Sequence, residues 1–375
     1  MTIVPSPTAA LEGLPLPKLD RVDLVTVKLP FVAPFGTSVY TWTHKEALLM
    51  RLESAGFTAW SECVSDPDPF YFYETNGTAR HIIKDFLLPL GELEGRFRHV
   101  RGHGMAKATI ENGLLNLIAL QKGVPLHELL GRPAKRIMSG ISIGLKGSQA
   151  ELLAAVEHAV AKKYGRVKMK VKKGQDIEWV RAVRDHFPDL PLMVDANGDY
   201  SLSDTALLKQ LDAFDLMMIE QPLSHSDIYE HSILQKDMKT AICLDESIHG
   251  FGDAATAIAL NACRVINIKQ GRVGGLMESM RIAAYCASHG IDAWSGGMDE
   301  TGIGRAVNIH LQTAAGFTLP GDTSETRNYF DEDIADPPVV LGPGGFIDIP
   351  GGPGLGVRVV PERILKRAIR WERLC

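Results

Sequence analysis

The chain has 375 residues, 45% of them hydrophobic and 23% charged, which is an ordinary globular composition with length enough for a barrel and a second domain. A formal net charge of −5 and a pI near 6.2 argue against nucleic acid or an anionic membrane as the main partner. There is no run of ~18 apolar residues to span a bilayer. The five cysteines, odd in number and without metal-ligand spacing, read as reduced thiols of a cytoplasmic protein.

Residues 1–19 form a Pro- and Leu-rich tail without the basic-then-apolar order of a signal peptide. Val22–Leu29, Glu46–Leu52 and Thr58–Glu62 read as strands, the last two joined through a turn at Ser54–Phe57. Between the first two lies Pro30–Trp42, an apolar and aromatic loop containing Phe35 and the hinge candidate Gly36. It reads equally as a lid excluding water from a neighbouring site or as an interdomain packing patch. Ala79–Leu88 and Ala106–Gln121 have helical periodicity, and Gly123 and Pro125 stop the second. Residues 20–133 are therefore expected to form an α+β capping domain.

A different rhythm follows. Ile137–Ile143 is the expected first strand of a barrel. Five apolar runs come next, each closing on a charged residue: Arg166–Lys170, Leu192–Asp195, Leu216–Glu220, Ile242–Asp245 and Val265–Lys269. The closing residues are spaced by 25 residues, and by 24 at the last step. Ile291–Trp294 and Gly316–Leu319 would complete eight strands. Buried parallel strands alternating with helices at about 25 residues per unit predict an α/β fold, a modified TIM (β/α) barrel over residues 134–324. Residues 325–375 are expected to return to the capping domain. Gly351–Gly356 precedes a strand-like Val357–Val360 rather than a helix, so it reads as a turn and not a phosphate loop.

One charged residue at a strand end ordinarily marks only where the strand meets water. Five in phase would share the C-terminal rim, where such barrels carry their active sites. Asp195, Glu220 and Asp245 offer hard oxygen donors without histidine or thiol, which suits Mg²⁺ or Mn²⁺ and not zinc. Lys168 and Lys170 share one face of their strand, roughly 7 Å apart at ~3.3–3.4 Å per residue. Their repulsion, on the order of 2 kcal/mol, predicts ammonium pKa values lowered towards the ~7–8 useful to a base. Lys269 lies on the far side of the carboxylates, so a metal-held substrate carboxylate would have a lysine on each face of its α-carbon. That arrangement predicts proton abstraction next to a carboxylate, then reprotonation or elimination.

These residues resemble the muconate-lactonizing-enzyme subgroup of the enolase superfamily. Gly296–Arg305, Leu319–Ser324 and Asp195-Ala-Asn197 are similar to strings of the o-succinylbenzoate synthase / N-succinylamino acid racemase family. The resemblance implies metal-dependent syn-dehydration in menaquinone biosynthesis, or N-acylamino acid racemisation in the same site. It implies that Lys170 is the base and later the acid, that Lys269 steadies an enediolate or acts from the opposite face, and that Lys168 tunes Lys170. Ser142, Asn197, Gly297 and Met298 would line the substrate pocket, with Phe35 closing over it. Arg272 would mark racemase-competent members by modulating Lys269. Asp299 departs from the family, which has a large apolar residue there. The partners implied are a small-molecule carboxylate and further copies of the chain in a homo-oligomer.

Other readings fare less well. A mandelate-racemase-type site needs a histidine ending the seventh strand, where Trp294-Ser-Gly-Gly offers none, and His289 precedes that strand. A dipeptide epimerase needs Asp-x-Asp where Asp322-Thr-Ser324 lacks the second Asp. A Schiff-base aldolase has no use for three carboxylates in register. A metal-binding barrel without catalysis predicts Mg²⁺-dependent thermal stabilisation with no solvent deuterium entering any N-acylamino acid.

Overall fold

The computed structural model describes residues 16–36, 40–88, 97, 99–130 and 134–375. A four-stranded antiparallel sheet covers one end of a seven-stranded parallel sheet that curls into a barrel. The first contains β1 (Arg21–Gly36), β2 (Thr41–Ser54) and β3 (Phe57–Cys63). Two helices follow, α1 (Asn76–Ile82) and α2 (Gly104–Lys122). Thr75 starts α1 with a capping box, and Gly123 ends α2 in the left-handed conformation. Period-2 alternation gives the sheet two apolar faces. Leu24, Leu48 and Met50 pack on Ile110 and Leu114 of α2. Val25, Val27 and Leu49 pack on Ile303 and Val307 of the barrel's last helix. One sheet therefore holds cap and barrel together, at ~1.5–3 kcal/mol for each large apolar side chain buried.

The parallel strands are β5 (Gly140–Ile143), β6 (Arg166–Lys170), β7 (Leu192–Asp195), β8 (Ile219–Glu220), β9 (Ile242–Leu244), β10 (Val265–Ile268) and β11 (Asp292–Ser295), hydrogen-bonded in sequence order. The helices between them begin at local caps. Ser148 caps α3 (Gln149–Ala161) and Asp176 caps α4 (Ile177–His186). Further helices include α5 (Tyr229–Asp237), α6 (Phe251–Ala259), α7 (Gln270–Val273), α8 (Leu276–Ser288) and α9 (Gly302–Leu311). Within each strand, alternate residues divide between two environments. Val167, Met169, Val194 and Ile219 pack outward in the strand–helix core, while Met193, Met218, Cys243, Val265 and Trp294 form a separate interior cluster. Interior side chains at this alternation continue into the charged residues at the strand ends.

Several expectations change on contact with the structure. Ile137–Ile143 is two strands. The short β4 (Arg136–Met138) pairs antiparallel with Phe346–Asp348, and β5 alone enters the barrel. Only Ile219–Glu220 of the run Leu216–Glu220 is a strand. Gly316–Leu319 forms no strand. Instead Thr318 and Leu319 both turn their N–H groups to the Ala293 carbonyl. The chain then bridges the gap, with Gly140 N–H donating to Gly321 O and Asp322 N–H to Ser295 O. The Pro30–Trp42 loop is largely a β-hairpin, with Phe35 paired to Trp42 and Gly36 to Thr41 after a register shift beyond Pro30. Residues 37–39 lie outside the described residues. The helix expected over Ala79–Leu88 ends at Ile82 and widens into a π-turn, Ile83–Leu87.

Near the C-terminus, the final strand Ala368–Arg373 pairs antiparallel with β1, opposite β2. Gly351–Gly356 is indeed followed by extended chain, Arg358–Val359, and not by a helix. The expected boundary at 133/134 and most of the 1–19 tail fall outside the described residues. Cys63, Cys243, Cys263 and Cys286 are buried free thiols, and Cys375 is exposed. Among the described residues, no helix is long and apolar enough to cross a membrane.

Candidate active site

Parallel register brings the charged strand ends to one level. Lys170 pairs with Asp195 and Asp195 with Glu220, while Asp245 and Lys269 each fall one residue beyond β9 and β10. The three carboxylates thus come from adjacent strands, with β6 lysines on one side and Lys269 on the other. All of these side chains are nearly fully buried, those of Lys170 and Lys269 being equally so at 8% exposed.

Lys170 Nζ donates to Asp195 Oδ2 at 2.6 Å and to Asn197 Oδ1 at 2.8 Å. Lys168 Nζ lies 3.4 Å from Asp195 Oδ2, 3.1 Å from Glu220 Oε2 and 2.7 Å from Asp322 Oδ2. Lys269 Nζ lies 2.9 Å from Asp245 Oδ2 and donates to the Tyr71 hydroxyl, which in turn donates to Asp245 Oδ2 at 3.1 Å. The expected lowering of the Lys168 pKa does not occur. Burial pushes it down, but Asp322, Glu220 and Asp195 together hold the ammonium well above its ordinary value. The attraction of those three carboxylates outweighs burial and the repulsion of neighbouring cations.

The carboxylates differ among themselves. Burial pushes Asp245 up, yet Arg272 and Lys269 hold it far below the usual carboxylate range. Burial and the charge of Asp195 raise Glu220 well above it. Asp195 stays low because Lys170 and Lys168 outweigh its burial. Like charges on three neighbouring strands are what a bound cation relieves. Two buried oxygens, Glu220 Oε2 and Asp245 Oδ1, accept no well-aligned hydrogen bond, although Lys168 and Arg272 approach them at 3.1 and 2.7 Å. An all-oxygen donor set with uncommitted buried lone pairs fits a hard divalent ion. As they stand, the carboxylates are turned onto the basic groups. Among the described residues no three His, Cys, Asp or Glu side chains already surround one point.

The other residues singled out by sequence fall in two groups. Ser142, Gly297, Met298 and Phe35 line a cavity shared with Lys168, Lys170 and Lys269. Asn197 lies at the Lys170 ammonium instead, and its Nδ2 donates to Glu246 Oε1 at 2.8 Å. Arg272 is buried, with Nε donating to Ile248 O at 2.9 Å and NH2 2.7 Å from Asp245 Oδ1. It shares that carboxylate with Lys269. Asp299 lines the same cavity as the lysines, in a left-handed backbone conformation with φ 53°. Gly296 closes β11 where any Cβ would stand 2.2 Å from Asn267 Oδ1 and 2.8 Å from Lys269 Cγ. The absence of a side chain there leaves Lys269 its room.

Sequence reasoning assigned no role to Tyr71, Asp322, Glu246 or Lys45. Tyr71 comes from the cap, in an aromatic run that carries no positional signal. Asp322 was visible in the Leu319–Ser324 string, but its contact with Lys168 depends on how that segment closes the barrel. Glu246 follows Asp245 directly, and burial with the charge of Asp245 raises its carboxyl to about 6.

Residues 21–131 match the mandelate racemase / muconate lactonizing enzyme N-terminal domain. Residues 151–363 match the enolase C-terminal domain-like family. The chain belongs to the mandelate racemase / muconate lactonizing enzyme family of the enolase superfamily. Within it, the chain is 44% identical over 351 residues to an o-succinylbenzoate synthase of Geobacillus stearothermophilus, covering 91% of this chain and 93% of that one. It is 40% identical over 355 residues to an N-succinylamino acid racemase of an Amycolatopsis species, covering 92% and 96%. A crystal structure of an enolase-superfamily member from Listeria innocua superposes with a TM-score of 0.91 at 38% identity, covering 95% of this chain and 99% of that one.

Proposed function

We propose that this protein is an o-succinylbenzoate synthase, dehydrating 2-succinyl-6-hydroxy-2,4-cyclohexadiene-1-carboxylate in menaquinone biosynthesis. The observation that carries the reading is the facing pair of buried lysine positions, β6 and the end of β10, with three carboxylate strands between them. The synthases among its relatives, at 39–44% identity, support it. Asp195, Glu220 and Asp245 are the residues to hold a divalent ion, Mg²⁺ or Mn²⁺, which when bound supplies Lewis-acid stabilisation of charge on a substrate carboxylate.

Lys170 removes the proton next to that carboxylate, its Nζ oriented by Asp195 and Asn197. The ammonium of Lys168, kept charged by Asp322, Glu220 and Asp195, offsets the negative charge that develops as the enediolate forms. Lys170 then returns its proton to the departing hydroxyl on the same face, so that water leaves syn. Lys269, steadied by Asp245 and Tyr71, stabilises the enediolate from the other side.

N-succinylamino acid racemisation in the same cavity is the second reading. It is favoured by the buried Arg272–Asp245–Lys269 cluster and by racemase relatives at 39–40% identity. In that reaction Lys170 and Lys269 take and return the α-proton on opposite faces. Steady-state kinetics on both substrates tests the order. A kcat/KM for racemisation a hundredfold above that for dehydration reverses it, and no turnover of either substrate in the presence of Mg²⁺ or Mn²⁺ sinks both readings.

A further inference from the structure

The reactive lysines leave unexplained a second set of charges on the same cavity. Lys45, on β2, lines it while being only 3% exposed. Its Nζ donates to Asp66 Oδ1 at 2.9 Å and to the Met298 carbonyl at 3.0 Å. An ammonium has three N–H donors, so one remains, and the two fixed acceptors set its direction. Arg305, another cation of this wall, spends NH1 on Ser324 O at 2.7 Å and NH2 on Glu300 O at 3.0 Å, and keeps only a buried Nε–H without a partner among the described residues. Asp299 lines the cavity near Lys45, and its carboxylate accepts no hydrogen bond from the described residues. Its left-handed backbone holds it there without a compensating bond, a conformation that costs a non-glycine residue free energy.

We infer that Lys45 is the anchor for a second anionic group on the substrate, remote from the reacting carbon, and that Asp299 beside it weakens the hold on that anion. The cavity would thus select dicarboxylates, with Lys45 and Asp299 as specificity-determining residues of opposite sign. This deepens, and rests on, the reading of the cavity as a site for succinyl-bearing substrates. A charge-assisted hydrogen bond to a buried ammonium is strong enough to change affinity by tenfold or more.

The test is calorimetric binding to the full-length, Mg²⁺-loaded protein, independent of turnover. The probes are o-succinylbenzoate and the primary amide of its succinyl carboxylate, which keeps the shape and removes the charge. The wild type is expected to prefer the acid by about tenfold or more. Lys45→Met should bring the ratio close to one, and Asp299→Asn should raise it severalfold. Equal affinity of the wild type for acid and amide, or an unchanged ratio in Lys45→Met, overturns the inference. If Lys45→Met does not fold, a ratio that falls or stays constant in Asp299→Asn does the same. Charge discrimination by a wild type that neither dehydrates nor racemises would uphold the anchor and overturn the proposed reaction instead. Turnover without discrimination would do the reverse.

Discussion

Lys170 and Lys269, the proposed proton carriers, have different surroundings. Lys170 is held by one carboxylate and one amide oxygen. Lys269 is buried against Asp245, Tyr71 and, through Asp245, Arg272. If each serves one face of the α-carbon, single substitutions should separate the faces. Lys170→Ala is expected to abolish deuterium uptake from one enantiomer of an N-succinylamino acid and Lys269→Ala from the other, each by ~10²–10⁴-fold. Proton NMR in D₂O reads this directly, and loss from both enantiomers in both variants would contradict the assignment. Lys170→Ala should also remove dehydration while leaving the melting temperature and Mg²⁺ binding near wild type. Asn197→Ala should lower kcat more than it raises KM, because Asn197 orients Lys170, the proposed base, without lining the cavity.

At the level of elements, the joint between cap and barrel is backbone against backbone. Gly104 begins α2 so close to the turn after Lys269 that a Cβ there would lie 2.1 Å from the Arg272 carbonyl oxygen. Asn112 of the same helix donates to Gln270 Oε1 at 2.7 Å, so α2 braces the segment carrying both Lys269 and Arg272. Gly104→Ala is expected to destabilise by about 1–3 kcal/mol and to depress kcat with it. Thermal denaturation and kinetics check this, and a variant of full stability and activity would show that the brace is unnecessary. The barrel strands carrying the candidate site were legible because each apolar run ends in a charge and the runs repeat in phase. The eighth strand was not legible, since Gly316–Leu319 has strand-like composition but its successive N–H groups share the Ala293 carbonyl. The hairpin at Phe35 was hidden in the same way. Its extended conformation comes from pairing with Thr41 and Trp42 and from aromatic contact of Phe31 and Phe35 with Tyr329, almost three hundred residues away. Asp322 and Tyr71 escaped notice because tertiary closure alone brings them to the lysines.

Across the whole molecule, buried acids tie stability to pH. Glu62 accepts from Thr301 and Gly304 at the start of α9, and burial raises its carboxyl to about 7. Glu111 of α2 accepts from Met277 N–H, and burial raises it to about 8. Both folded values exceed the unfolded value of 4.5, so the native state holds more protons between them. Their contribution is therefore complete below about pH 4.5 and is lost as pH rises towards about 8. Melting temperatures over that range should fall less steeply in Glu62→Gln and Glu111→Gln than in wild type, and identical slopes would refute the linkage. The final strand Ala368–Arg373 supplies β1 with its second neighbour. Removing residues 368–375 should lower the melting temperature and promote aggregation through the bared strand edge, observable by light scattering.

That last pairing also orders events in time. Val25 opposes Trp371, so the cap joins segments almost 350 residues apart. On a translating ribosome the first three strands and α2 can assemble early, but β1 must wait with one flank open until residues 368–373 have emerged. The barrel, whose strands pair with sequence neighbours, has no such wait. Residues 368–373 thus complete the cap after the barrel strands have paired, and a nascent chain stalled short of them would carry paired barrel strands beneath an unfinished and adhesive cover.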